Sequence, residues 1–95
     1  MRILIYDFVN KMDYYKCLAL SDLAANLIRK GFNVYAKFFH GEAKRDSFLE
    51  VRIFTLDEFI KLVKYIEGLY QSSVIQIRSG YTDEFGMVTE LIIKE

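Results

Sequence analysis

The chain has 95 residues and a mass of 11.2 kDa, with 13 basic and 13 acidic side chains and no formal net charge. That length holds one domain near the lower limit of a self-sufficient core, and the charge balance excludes a strongly basic nucleic-acid binder or a polybasic membrane peptide. Eight Phe and seven Tyr supply more ring surface than two short helices cover, while the lone Cys17 forms neither an internal disulfide nor a cysteine zinc site and suits a reducing cytoplasm.

Arg2 to Phe8 is a short apolar run rich in β-branched residues and reads as a strand. From Lys11 to Lys30 the spacing becomes helical: Cys17, Leu20, Leu23, Ala24, Leu27 and Ile28 form one apolar stripe, with Lys16, Asp22, Asn26, Arg29 and Lys30 off it. Gly31 after two basic residues marks the helix end. Phe32 to Phe39 is a second strand, the polar segment from His40 to Asp46 a connection, and Ser47 to Phe54 a third strand. Thr55 with Glu58 three residues later is a capping box, which opens a helix striped by Phe59, Leu62, Val63, Ile66, Leu69 and Tyr70. Val74 to Arg78 alternates as a fourth strand, Ser79 to Gly86 reads as a turn, and Met87 to Lys94 as a fifth strand. No apolar run along this order is long enough to span a bilayer, and Asp7 interrupts the first one too early for a signal peptide.

The order βαββαββ implies a single α+β domain over residues 1–95: a ferredoxin-like βαββαβ sandwich with both helices on one face of a mainly antiparallel sheet. The additional C-terminal strand is expected to extend one edge or to pair with another subunit. Alternation then assigns faces. Val34, Ala36, Phe38, Leu49, Val51 and Ile53 turn toward the helices, and Leu4, Tyr6, Tyr35, Lys37, Phe39, Phe48, Glu50, Arg52, Phe54, Gln76 and Arg78 turn away. A helix-free face of rings and charges calls for a cover. A second copy of the chain, another protein, the fifth strand, or single-stranded nucleic acid stacked on the rings with Lys37, Arg52 and Arg78 at phosphate would each serve.

Candidate chemistry gathers where the parallel first and second strands end. Asp7 approaches the connection carrying His40, Glu42, Lys44, Arg45 and Asp46, a set that contains acid/base and metal-ligand types. Asp7 with Glu42 or Asp46 can offer carboxylate oxygens to Mg²⁺, and His40 can act as an acid or base near neutrality. Mixed-charge loops are otherwise solvated connections. Cys17 falls on the buried stripe and reads as core, and the five isolated glycines form no phosphate-binding loop.

Ile3-Leu4-Ile5-Tyr6-Asp7, a helix ending near Gly31, and the aromatic strand closing on Phe38-Phe39-His40-Gly41-Glu42 resemble the small CRISPR-adaptation subunit and the related VapD-type ribonucleases. The resemblance covers roughly the first forty residues. It implies a ferredoxin-like dimer packed through its sheets and, for a nuclease member, a metal-dependent endoribonuclease in which Asp7, beside Tyr6, holds Mg²⁺. The sequence departs from the pattern after Asp7, where Val9-Asn10-Lys11-Met12-Asp13 replaces the basic cluster common in the adaptation subunits. The leading expectation is therefore a cytoplasmic homodimer that acts as a binding or regulatory protein through its open sheet face and needs no cofactor. An inhibitor of a host complex, as viruses and mobile elements encode, fits that description. The alternative is the Mg²⁺-dependent ribonuclease or a nucleic-acid-binding protein.

Overall fold

A computed structural model describes residues 1–39 and 45–95. The elements run β1 (Arg2–Asp7), α1 (Asp13–Arg29), β2 (Asn33–Lys37), β3 (Phe48–Arg52), α2 (Leu56–Leu69), β4 (Val74–Thr82) and β5 (Gly86–Lys94). The two helices and one mixed, open sheet of five strands make an α+β fold.

The helix ends follow from local chemistry. Gly31, at φ 93°, closes α1: its N–H donates to the Ile28 carbonyl and the Phe32 N–H to the Leu27 carbonyl, so the last turn's orphan acceptors are filled. At α2 the Thr55 hydroxyl accepts from the Glu58 N–H at 3.2 Å. Glu58 reaches back to the Phe54 N–H and the Thr55 hydroxyl, one residue earlier along the backbone than a regular capping box.

The strand order is β2-β3-β1-β5-β4, with β1 antiparallel to β3 and parallel to β5. The fifth strand therefore neither extends an edge nor waits for another subunit. It lies between β1 and β4, and β4 takes the edge. The reason is visible in burial: Leu91, Ile92 and Ile93 are apolar on consecutive positions and at most 2 % exposed, as are Ile3, Leu4 and Ile5 of β1. Strands buried on both faces belong in the middle of a sheet. The expected turn over 79–86 is also mostly strand. Pairing continues from Ser79↔Thr89 to Thr82↔Gly86 and leaves Asp83-Glu84-Phe85 as a three-residue loop, closed by Gly86 at φ 71° and by the Phe85 N–H donating to the Thr82 hydroxyl.

Ile3, Ile5, Leu49, Val51, Leu91 and Ile93 form one core with Leu20, Leu23 and Leu27 of α1 and Leu62 and Ile66 of α2, which places both helices on the same face. Burying each such aliphatic side chain stabilises the fold by about 1.5–3 kcal/mol relative to exposure. Three stripe assignments need correction. Ile28 is 56 % exposed, because it sits about 100° around the helix from buried Leu27. Lys16 is buried instead: its stem lies in the structure while Nζ reaches Asp46 at 3.7 Å and the Phe8 ring at 5.3 Å. Leu69, at 46 % exposure, likewise lies off the buried face of α2. Cys17 is buried with Sγ 3.7 Å from the Ser47 hydroxyl, in keeping with a core role.

Candidate binding face

The register fixes which side chains share the helix-free face. The pairs Tyr6↔Phe48, Lys37↔Phe48, Tyr35↔Glu50, Leu4↔Glu50, Arg2↔Arg52 and Arg78↔Glu90 all lie on it, opposite the core pairs Ile3↔Val51 and Ile5↔Leu49. Tyr6, Tyr35, Lys37, Phe48, Arg52 and Arg78 thus occupy the face that alternation predicts. Phe39 follows β2 and touches the same ring cluster, whereas Phe54 lies beyond β3 and is 83 % exposed at the end of the sheet.

The rings form a continuous row. Tyr6 stands 5.9 Å from Phe8 and 5.6 Å from Phe48, and Phe48 stands 6.2 Å from Phe39, all at tilted angles. The outer rings carry guanidinium groups: Arg45 lies 5.3 Å from the Phe39 centroid and Arg52 5.0 Å from that of Tyr35.

Part of the cover comes from the chain itself. The β4–β5 loop folds back over this face, so that Phe85 packs on the Arg2 guanidinium at 4.4 Å. Glu84 and Phe85 line one groove with Tyr35, Lys37, Glu50 and Arg52, and a second with Tyr6, Phe39, Arg45, Asp46 and Phe48. Leu4, between Arg2 and Tyr6 on the same face, is fully buried. Alternation along β1 puts Arg2 with Leu4 and Tyr6, but nothing local brings Phe85 onto it, because the loop's return over the sheet is a tertiary event. The one available signal was the length of the alternating pattern either side of Asp83-Glu84-Phe85.

Two carboxylates organise the face. Glu50 is nearly buried, and its Oε2 accepts from Arg52 Nε at 2.7 Å and Arg2 Nε at 3.2 Å. Glu50 holds the Arg52 guanidinium more firmly protonated, through that hydrogen bond first and its charge second. Glu90 accepts from Arg78 Nε at 2.8 Å and lies across Gly80, where an added Cβ would come within 2.6 Å of its carboxyl group. Tyr6 borders the same group: burial above all, with the charges of Glu90 and Asp46, pushes its phenol pKa upward.

Asp7 belongs to the other side. It is fully buried on the helix face, and its Oδ1 accepts from the Val9 and Asn10 N–H groups at 2.8 and 3.2 Å while Oδ2 accepts from Asn10 Nδ2 at 2.6 Å. Both oxygens thus shape the turn that leads from β1 into α1. Asp46 pairs with Lys16 and borders the aromatic groove. His40 and Glu42 lie outside the described residues. Among the described residues, no group of three or more His, Cys, Asp and Glu stands together as metal coordination requires, and no helix is long and apolar enough to cross a membrane.

Comparison with protein-family models, with curated proteins and with solved structures found no match to this chain.

Proposed function

We propose that the protein is a small binding module, ferredoxin-like in architecture with its last strand drawn into the sheet, that docks protein rather than nucleic acid on its helix-free face and pairs there with a second copy of itself. The observation that carries this reading is the makeup of that face. Rings of Tyr6, Tyr35, Phe39, Phe48 and Phe85 are interleaved with Arg2, Lys37, Arg45, Arg52, Arg78 and Lys94, and five carboxylates, Asp46, Glu50, Asp83, Glu84 and Glu90, stand among them. A phosphate backbone is attracted by an excess of positive charge, whereas a nearly balanced mixture complements another mixed surface, including its own twofold copy. The guanidinium groups of Arg45, Arg52 and Arg2 also already occupy ring surface that a nucleobase would need. The engagement of both Asp7 oxygens by its own turn supports a structural role for the residue that a metal-dependent nuclease would require as a ligand.

Light scattering coupled to size exclusion tests the pairing. A dimer is expected at concentrations on the order of tens of micromolar, and Tyr35→Glu, on an exposed edge-strand position, is expected to yield a monomer that keeps its circular dichroism spectrum. A monomeric parent protein at that concentration overturns the pairing. Retention of single-stranded RNA that falls steeply with added salt would overturn the preference for protein.

A further inference from the structure

At the end of the sheet where β1 begins and β3 ends, Arg2 and Arg52 are direct cross-strand partners. Two guanidinium groups so placed repel each other, and Glu50 between them offsets this by accepting both Nε–H groups on a single oxygen, Oε2. One carboxylate therefore serves two cations. The planes are further set by ring contacts on the outside, Phe85 on Arg2 and Tyr35 on Arg52. Nε is spent on Glu50 in both cases, and among the described residues no hydrogen-bond acceptor meets the terminal Nη groups. Their side chains remain 38 % and 43 % exposed.

These two residues border a groove of about 380 Å³ whose remaining lining is Met1, Ile53, Phe54, Phe85 and Met87. Among the described residues, its charged side chains are those of Arg2 and Arg52, and Phe54 and Met87 on its walls are 83 % and 72 % exposed. An anion alone would leave those apolar walls in water, and an apolar ligand alone would desolvate two guanidinium groups without an acceptor. The ligand that fits both is an acid flanked by apolar groups.

We propose that this groove is a docking site for an acidic–apolar peptide segment of a protein partner, with an Asp or Glu carboxylate of the segment bridging the Nη groups of Arg2 and Arg52 and a neighbouring aliphatic side chain lying against Phe54 and Met87. Charge complementarity selects the occupant: Arg2 and Arg52 exceed Glu50 in positive charge, the Met1 ammonium at the groove adds to that excess, and a carboxylate answers it, while the preset guanidinium planes suit bidentate capture. The proposal rests on the reading of the protein as a protein-binding module and names the chemistry of the partner.

Heteronuclear NMR on the full chain, following the Nε–H resonances of Arg2 and Arg52, tests it with a short peptide carrying one glutamate between two leucines and with its glutamine counterpart. The glutamate peptide is expected to shift both resonances and to bind about tenfold more tightly than the glutamine form. Phe54→Ala, at a site exposed enough to leave folding intact, and Arg2→Gln, which leaves Arg52 on Glu50, should each weaken the glutamate peptide by about fivefold to tenfold. Equal affinity for the two peptides, or no effect of Phe54→Ala, overturns the proposal, as does displacement of the bound peptide by millimolar inorganic phosphate or by an oligoribonucleotide at lower concentration than the peptide itself. Light scattering on the same samples separates the two readings. A chain that ignores the peptide both as the dimer and when diluted to the monomer overturns the groove alone, and a parent protein that stays monomeric and binds it overturns the self-pairing alone.

Discussion

Asp7, Glu50 and Glu90 are acidic residues at most 9 % exposed, and each is retained inside the protein by a different set of donors. Asp7 takes backbone N–H groups of its own turn, Glu50 takes two arginines from neighbouring strands, and Glu90 takes Arg78 in the space that Gly80 leaves open. A buried carboxylate without donors would be costly, so the donors explain why these positions can be acidic at all. For Asp7 the consequence is measurable. Asp7→Ala strands the Val9 and Asn10 N–H groups and should lower stability to urea by about 1–3 kcal/mol. Asp7→Asn keeps an oxygen for them and should lose less; equal losses would mean that the charge, rather than backbone acceptance, is what the turn needs.

Among the elements, β5 has the largest consequence. Lying between β1 and β4, it donates and accepts on both sides along most of its length, while β2 and β4 each leave one side unpaired. Amide hydrogen exchange should accordingly be slowest through Ile3–Ile5 and Leu91–Ile93, with alternate amides fast along the edge strands β2 and β4. Alternate fast amides in β5 would place that strand at an edge and refute the arrangement. The face assignments of Tyr35, Lys37, Phe48 and Arg52 were legible in the sequence because a period of two, once begun, leaves a strand no freedom. The position of β5 was legible only in the absence of alternation in Leu91-Ile92-Ile93. The helix stripes hold where buried residues recur and fail at Ile28 and Leu69, which lie at the stripes' margins, and at Lys16 because a long cationic side chain can place its stem inside and its charge outside.

For the whole molecule, stability should depend on pH in the alkaline range. Tyr6 and Tyr70 both have phenol pKa values pushed above the ordinary 10.0, Tyr6 by burial and then Glu90 and Asp46, Tyr70 by burial and then Asp7 and Asp22. Below that value both phenols are protonated in the folded and unfolded chains, and the associated stability is fully present. As pH rises past it, the unfolded chain gives up these protons first, so it binds fewer than the native state and the native state loses stability until its own phenols ionise. Urea midpoints should therefore fall between about pH 9 and about pH 11, less steeply in Tyr6→Phe. An identical decline in that variant would assign the effect to other groups.

At the same scale, the helix-free face and its grooves exist only because distant segments meet. Local periodicity determined the seven elements, the capping of both helices and the two sides of each strand, since those depend on residues within a few positions of one another. The insertion of β5 beside β1, the return of Phe85 onto Arg2, the sharing of Glu50 by two arginines and the pairing of Asp46 with Lys16 were decided by the tertiary structure alone. The order of strands is set by which apolar runs must be buried on both faces, a competition across the whole chain that no short stretch of sequence settles.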